Sequence, residues 1–117
     1  MKRETITEDE RWNDFLHLLL PKLINGAQMS TFNSIWASIN TLFDNDVRYP
    51  ISCWGEDASY DFTWHYTDRK SYVSLNIDRE GRADWHASKN GKDFYSFEQD
   101  EKIIPKFAIE ILKEMKK

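Results

Sequence analysis

Cysteine, glycine, proline and excess positive charge are all scarce in this sequence, and it has no long apolar run. The single cysteine, Cys53, cannot close an internal disulfide, so the fold has no covalent staple, as expected of a chain kept in a reducing, cytoplasmic setting. Cys53 also lacks a neighbouring basic group to activate it, which points to a buried or half-buried structural thiol rather than a nucleophile. The four glycines, Gly26, Gly55, Gly81 and Gly91, lie far apart. They suit turns and helix ends and do not form a phosphate-cradling loop. His17, His65 and His86 are not spaced with one another or with Cys53 as a local metal pair would be, so neither metal nor cofactor is expected. No apolar stretch approaches the roughly 18 residues of a membrane span, and the opening MKRETITEDERW lacks the apolar segment of a secretory signal. Positive charge is in deficit, 16 Lys and Arg against 20 Asp and Glu, for a net charge of −4. The molecule as a whole therefore has no electrostatic attraction to nucleic acid or anionic lipid and favours a basic partner.

Aromatic residues, by contrast, are plentiful: five Trp, five Tyr and seven Phe among 117 residues. That content excludes disorder and makes one domain spanning 1–117 the expectation, with a core large enough to stand without metal or disulfide. Thr7 followed by Glu8, Asp9 and Glu10 forms a capping signal. The stripe Trp12, Phe15, Leu16, Leu19, Leu20, Leu23 and Ile24 predicts a helix behind it. Pro21 predicts a kink, or an end near Leu20, because it cannot donate to His17. Asn25-Gly26 reads as the stop, and a second helix is expected from about Met29 or Ser30, burying Phe32, Ile35, Trp36, Ile39, Leu42 and Phe43. The two helices form an antiparallel hairpin.

Tyr49 to Trp54 predicts a first strand; Pro50 either places it at a sheet edge or marks the start of the strand. Residues 59–98 then alternate: Tyr60, Phe62, Trp64 and Tyr66 in a second strand, Val73, Leu75 and Ile77 in a third, Ala83, Trp85 and Ala87 in a fourth. A three-residue loop closed by Gly81 sets Ile77 opposite Ala83, Leu75 opposite Trp85 and Val73 opposite Ala87. A two-residue turn within Asp68-Arg69-Lys70 matches the second strand's aromatic side to the third's apolar side. Asn90-Gly91 is a two-residue hairpin turn that sets Ala87 opposite Phe94 and His86 opposite Tyr95. Ile103, Ile104, Phe107, Ala108, Ile111, Leu112 and Met115 predict a final amphipathic helix with Pro105 at its start. The fold class is α+β: an N-terminal helical hairpin, an antiparallel meander of about five strands and a C-terminal amphipathic helix.

One face of the meander suffices for the helices. The other groups Tyr95, His86 and Ser74 in a row with Thr63 or His65, beside Phe97, Asp84 and Asn76, with Tyr72 near. Rings interspersed with polar groups are the composition of a protein-binding patch, with Tyr72, Asp84, His86, Tyr95 and Phe97 as contact residues. The plainer account is that strands favour aromatic residues anyway and that a helix or loop covers them. Arg69, Lys70, Lys89 and Lys92 share one rim and offer an anion or nucleic-acid contact, although charges at hairpin tips also arise from solubility alone. No catalytic motif stands out. His65, His86 and Asp84 are the only combination worth weighing as an acid–base site, and polar strand histidines explain them better.

In size, acidity and α+β architecture the chain resembles the immunity proteins of bacterial toxin systems and phage-encoded inhibitors of host defence, including anti-CRISPR proteins. That resemblance implies a non-enzymatic protein-binding module, an inhibitor or neutraliser docking on a larger, basic or nucleic-acid-binding protein. The alternative is a nucleic-acid-binding accessory protein using the aromatic face and the basic rim. Either the sheet face or the edge of the first strand offers a surface for homodimerisation.

Overall fold

In a computed structural model the chain runs α1 (Glu8–Asp14), a π-helical turn (Phe15–Leu19), α2 (Leu20–Leu23), α3 (Gly26–Leu42), β1 (Ile51–Trp54), β2 (Tyr60–His65), β3 (Tyr72–Ile77), β4 (Ala83–Lys89), β5 (Lys92–Gln99) and α4 (Lys106–Glu114). The structure describes residues 7–66, 70–99 and 104–115, and of residues 97–99 the backbone alone. The five strands form one antiparallel sheet in sequence order, with β1 and β5 at its edges.

Thr7 caps α1, its hydroxyl accepting from the Glu10 N–H at 3.1 Å. Pro21 is accommodated by widening the preceding turn rather than by a break. The Leu20 N–H reaches back five residues to the Phe15 carbonyl, the bonding of a π-turn. Leu19, expected on the buried stripe, is thereby turned out to 54% exposure, and Leu18 is exposed with it. Trp12, Leu20 and Ile24 remain buried.

The expected stop at Asn25-Gly26 is a start. Asn25 is the N-cap of α3, accepting from the Gln28 N–H, while Gln28 Oε1 accepts from the Asn25 N–H. Gly26 opens the helix three residues ahead of the expected beginning, and it is not among the glycines of positive φ. Asn suits both ends of a helix; the Gln three positions on decides for the start. Trp12 packs on Phe32 and Trp36, with ring centroids 6.2 and 5.2 Å apart, which closes the helical hairpin. Leu42, read as a core residue, is 55% exposed beyond the sheet's reach.

The strand registers follow from the turns. Phe62 faces Leu75, Leu75 faces Trp85, and Val73 faces Trp64 and Ala87. Asn90 and Gly91 both have positive φ, 52° and 77°. Their hairpin pairs Ala87 with Phe94 and His86 with Tyr95. The turn expected within Asp68-Arg69-Lys70 falls largely outside the described residues, but the pairing on its two sides sets Tyr60, Phe62 and Trp64 against Ile77, Leu75 and Val73, the match of faces expected. One shift was not foreseen: Trp85 pairs with Ser96 whereas Ala83 pairs with Gln99, so β5 carries a bulge of one residue.

All the helices that reach the sheet pack on one face. Phe32 stacks on Phe62 at 4.1 Å and Phe107 on Phe94 at 5.5 Å, and Ala108, Ile111, Leu112 and Met115 join the core cluster that holds Trp64 and Trp85. A buried polar clasp sets the start of α3 on the sheet. Gln28 Nε2 donates to the Ala58 and Ile77 carbonyls at 3.0 and 3.2 Å, Thr31 Oγ1 to the Gly81 carbonyl at 2.6 Å and Asn25 Nδ2 to the Arg79 carbonyl at 2.8 Å. Gly81 has φ +89°, and a Cβ there would meet the Ala27 carbonyl oxygen at 2.9 Å, so only glycine lets α3 approach this closely. Replacing Gln28 by Leu keeps the volume but strands the Asn25 N–H and the Ile77 carbonyl. We expect it to lower the unfolding free energy by about 3 kcal/mol, seen as a shift of the urea midpoint with little change in slope.

Candidate functional site

The face opposite the helices is the candidate site, and alternation from the core registers decides its membership. Three rows cross it. Ile51, Thr63, Ser74, His86 and Tyr95 form the middle row. Cys53, Asp61, Asn76 and Asp84 lie toward the end marked by the β1–β2 and β3–β4 turns; Cys53, expected to be at least half-buried, is exposed on the edge strand. His65, Tyr72, Ser88 and Asp93 lie toward the Asn90-Gly91 end. Thr63, not His65, thus completes the row of Tyr95, His86 and Ser74. Along β2, β3 and β4 the residues of this face are half-buried by one another, and among the described residues no helix crosses it.

Tyr72, His86 and Tyr95 form a connected aromatic unit. Tyr95 stacks on the His86 ring at 4.5 Å with planes 7° apart. Tyr72 meets the same ring edge-on at 5.2 Å, its hydroxyl 3.2 Å from His86 Nδ1. Tyr95 is 57% exposed, the outermost ring of the three. Thr63 and Ser74 hydroxyls lie 3.1 Å apart beside it. Burial raises the Tyr72 phenol above its ordinary pKa, and the negative charge of Asp93 and the neighbouring Tyr95 act in the same direction. Rings that stack on and hydrogen-bond to one another across adjacent rows hold their orientation before any partner arrives, which lowers the entropy cost of docking.

Asp84 lies in the acidic row, next to Asn76. Asn76 Nδ2 donates to Asp61 Oδ1 at 2.6 Å and to Ser59 Oγ at 2.9 Å. Beyond them opens a cleft of about 730 Å³ lined by Trp54, Gly55, Glu56, Asp57, Ser59, Asp61, Asn76 and Asp78. Asp78 is partly desolvated, which alone would raise its pKa, but the N–H groups of Arg82 and Glu80 and the Arg82 guanidinium lower it overall. The alternation of the flanking strands gives no sign of this cleft. The available signal was Trp54, an aromatic residue at the end of an edge strand with acids immediately after it.

Other expected site residues fall elsewhere. The Phe97 side chain and Arg69 lie outside the described residues. The β5 bulge also removes the simple pairing of position 97 with Asp84. Lys89 and Lys92 face each other across the hairpin on the side the helices cover, as their alternation with Ala87 and Phe94 requires. Lys89 is bonded to Glu114 of α4, whose carboxylate also accepts from the Tyr66 hydroxyl at 2.6 Å. The Lys89 charge therefore ties α4 to the sheet. Lys70 is exposed near the turn before β3. His65, His86 and Asp84 occupy three different rows, and among the described residues no group of His, Cys, Asp and Glu is placed to hold a metal ion. No described helix is long and apolar enough to cross a membrane.

No protein-family model matches the chain, and no curated protein and no solved structure matches it.

The raised pKa of Tyr72 makes a prediction for alkaline stability. Its folded-state value lies above the ordinary 10.0, so its contribution is fully present below pH 10 and is lost as pH rises through the folded-state value. The urea midpoint of the wild type should fall more steeply above pH 10 than that of Tyr72→Phe, which has no proton to lose there.

Proposed function

We propose that the chain is a non-enzymatic protein-binding module, an acidic inhibitor or neutraliser that docks its open sheet face on a larger, basic protein. The observation that carries this reading is the one-sided sheet: the face that no described helix crosses presents a pre-assembled Tyr72–His86–Tyr95 unit beside a carboxylate-lined cleft. Large polarised rings give contact area at little rotamer cost, and a few of them carry most of the affinity in protein interfaces. The carboxylates of Asp61, Asp84, Glu56 and Asp57, with the net charge of −4, speed the encounter with a basic surface and penalise acidic competitors. This format is the one in which the chain resembles immunity proteins and anti-defence inhibitors. Such a partner's nucleic-acid-binding or active surface is the natural target, since it is already basic.

The nucleic-acid alternative draws less support from the geometry. Two of the four lysine and arginine residues that suggested it, Lys89 and Lys92, belong to the helix-bearing side of the sheet, away from the stacked rings.

Capture from the native host with the wild type as bait, followed by titration of the recovered partner, tests the assignment. His86→Ala combined with Tyr95→Ala should weaken binding by roughly a hundredfold while leaving the unfolding midpoint close to that of the wild type. Unchanged affinity in a folded double variant would refute this surface. Retention of single-stranded DNA or RNA in a low-salt gel shift, lost on reversing the charge of Lys70, would favour the alternative instead.

A further inference from the structure

A second cleft opens on the helix-bearing side of the sheet, away from the face assigned to docking. It holds about 350 Å³ where α1, the end of α3 and the chain leading into β1 meet. Residues three or four apart are neighbours on a helix surface, so Asp9, Trp12 and Asn13 share one wall from α1, and Trp36 and Asn40 another from α3. Asn45 and Tyr49 close it from the chain between α3 and β1. Among the described residues no Lys, Arg or His lines it.

The lining joins aromatic rings to three primary amides with hydrogen-bonding capacity to spare. Asn40 Nδ2 donates to the Trp36 carbonyl at 2.8 Å, which fixes the side chain and leaves its amide oxygen with no donor among the described residues. The Asn13 and Asn45 side chains bond no other described residue. Trp12 is 8% exposed, yet its indole N–H, itself buried, has no acceptor among the described residues, a costly state for a desolvated donor. Asp9, the one carboxylate, accepts from the Tyr49 hydroxyl. The rings exclude two kinds of ligand common at aromatic sites. A nucleobase held between two rings needs them about 7 Å apart face to face, twice the contact distance, and a quaternary ammonium needs rings spaced around it in the same way. Here Trp12 is already stacked with Phe15 and Tyr49, at 5.6 and 5.2 Å, and meets Trp36 edge-on at 5.2 Å. These rings touch one another and leave no slot between them.

We propose that this cleft binds a neutral sugar in its pyranose form. Each primary amide offers one acceptor and two donors, so three of them together recognise adjacent hydroxyls, which also donate and accept, rather than a net charge. A ligand that lies across the rings must be apolar on one side and rich in hydrogen-bonding groups on the other, and a pyranose has both. Its C–H groups lie against Trp36 and Leu16, its hydroxyls exchange hydrogen bonds with Asn13, Asn40 and Asn45, and one ligand oxygen, directly or through a water, gives the Trp12 N–H its acceptor. A volume of about 350 Å³ is at the small end of ligand sites and suits a single sugar ring. The site is separate from the sheet face and stands whatever that face binds.

The test is a titration of the isotope-labelled full chain with methyl α-glucoside, methyl β-galactoside, methyl α-mannoside and N-acetylglucosamine, following the indole N–H signals of the five tryptophans by NMR. At least one sugar should move the Trp12 signal, assigned with Trp12→Phe, along a saturating curve with a Kd of about 1–10 mM. Asn13→Ala should weaken that binding roughly tenfold, the loss of about one hydrogen bond. Ala is the better helix former at this exposed position, so the loss will not come from unfolding, and the circular dichroism spectrum should be unchanged. Adding Asn40→Ala should remove saturation altogether. The proposal is overturned if none of the four sugars moves the Trp12 signal saturably up to about 100 mM, or if the folded double variant binds as the wild type does. Saturable movement of the Trp12 signal by tetramethylammonium or adenosine, with none by the sugars, would assign the cleft to another ligand class and overturn it equally.

Discussion

The structure depends on the clasp between the first turn of α3 and the sheet. Gln28 uses its whole amide: the oxygen completes the helix cap with Asn25 and the nitrogen reaches the Ala58 and Ile77 carbonyls. Because this side chain is 2% exposed, losing any of these bonds would leave a desolvated polar group, and an alternative seating of the helix is heavily disfavoured. Thr31 on the Gly81 carbonyl and Asn25 on that of Arg79 hold the same junction from the β3–β4 turn. The hydrophobic contact of Phe32 with Phe62 supplies burial, but burial alone does not choose an orientation. The polar bonds do. They commit the described helices to one face, and among the described residues no helix crosses the other.

What the sequence revealed of this arrangement divides along physical lines. The β3–β4 and β4–β5 registers were legible because turn chemistry is local: Asn90-Gly91 and Gly81 demand positive φ, and period-two alternation then fixes their partners up to the bulge. The bulge between Ala83 and Trp85 was not legible, since one extra residue leaves no compositional mark in Phe97-Glu98-Gln99. Asn25-Gly26 was assigned to the wrong helix end because Asn and Gly serve both; Gln28, the residue that decides, makes its other bonds to residues 30 and 49 positions away. Lys89 looked like a rim cation until its partner, Glu114, arrived from 25 residues downstream. Long-range polar partners are what single-sequence periodicity lacks.

The candidate face was legible in outline for the same reason the core was. Once Trp85 and Ala87 face inward, Asp84, His86 and Ser88 must face outward, and His86 must meet Tyr95 across the hairpin. The acidic cleft was hidden because it is built at a junction: Trp54 from β1, Asp61 from β2, Asn76 from β3 and a turn whose Asp57 and Ala58 both take positive φ, 53° and 61°. No periodic pattern spans four such segments. Apart from Asp93, the carboxylates of this face lie toward the end of the strands away from Asn90-Gly91, so a partner with an uneven charge distribution would be oriented as well as attracted.

The π-turn at Phe15–Leu19 also corrects the phase of the first helix. Trp12, Leu16, Leu20 and Ile24 recur every four residues, a spacing that advances about 40° per step around a regular α-helix. Trp12 and Leu20 would diverge by about 80°, most of the width of one apolar helix face. The wider turn absorbs that drift. It lets a single stripe continue from the stack of Trp12 with Tyr49 and Trp36 down to Ile24. Pro21, which on its own would interrupt the helix, thus coincides with the place where its angular count had to be reset.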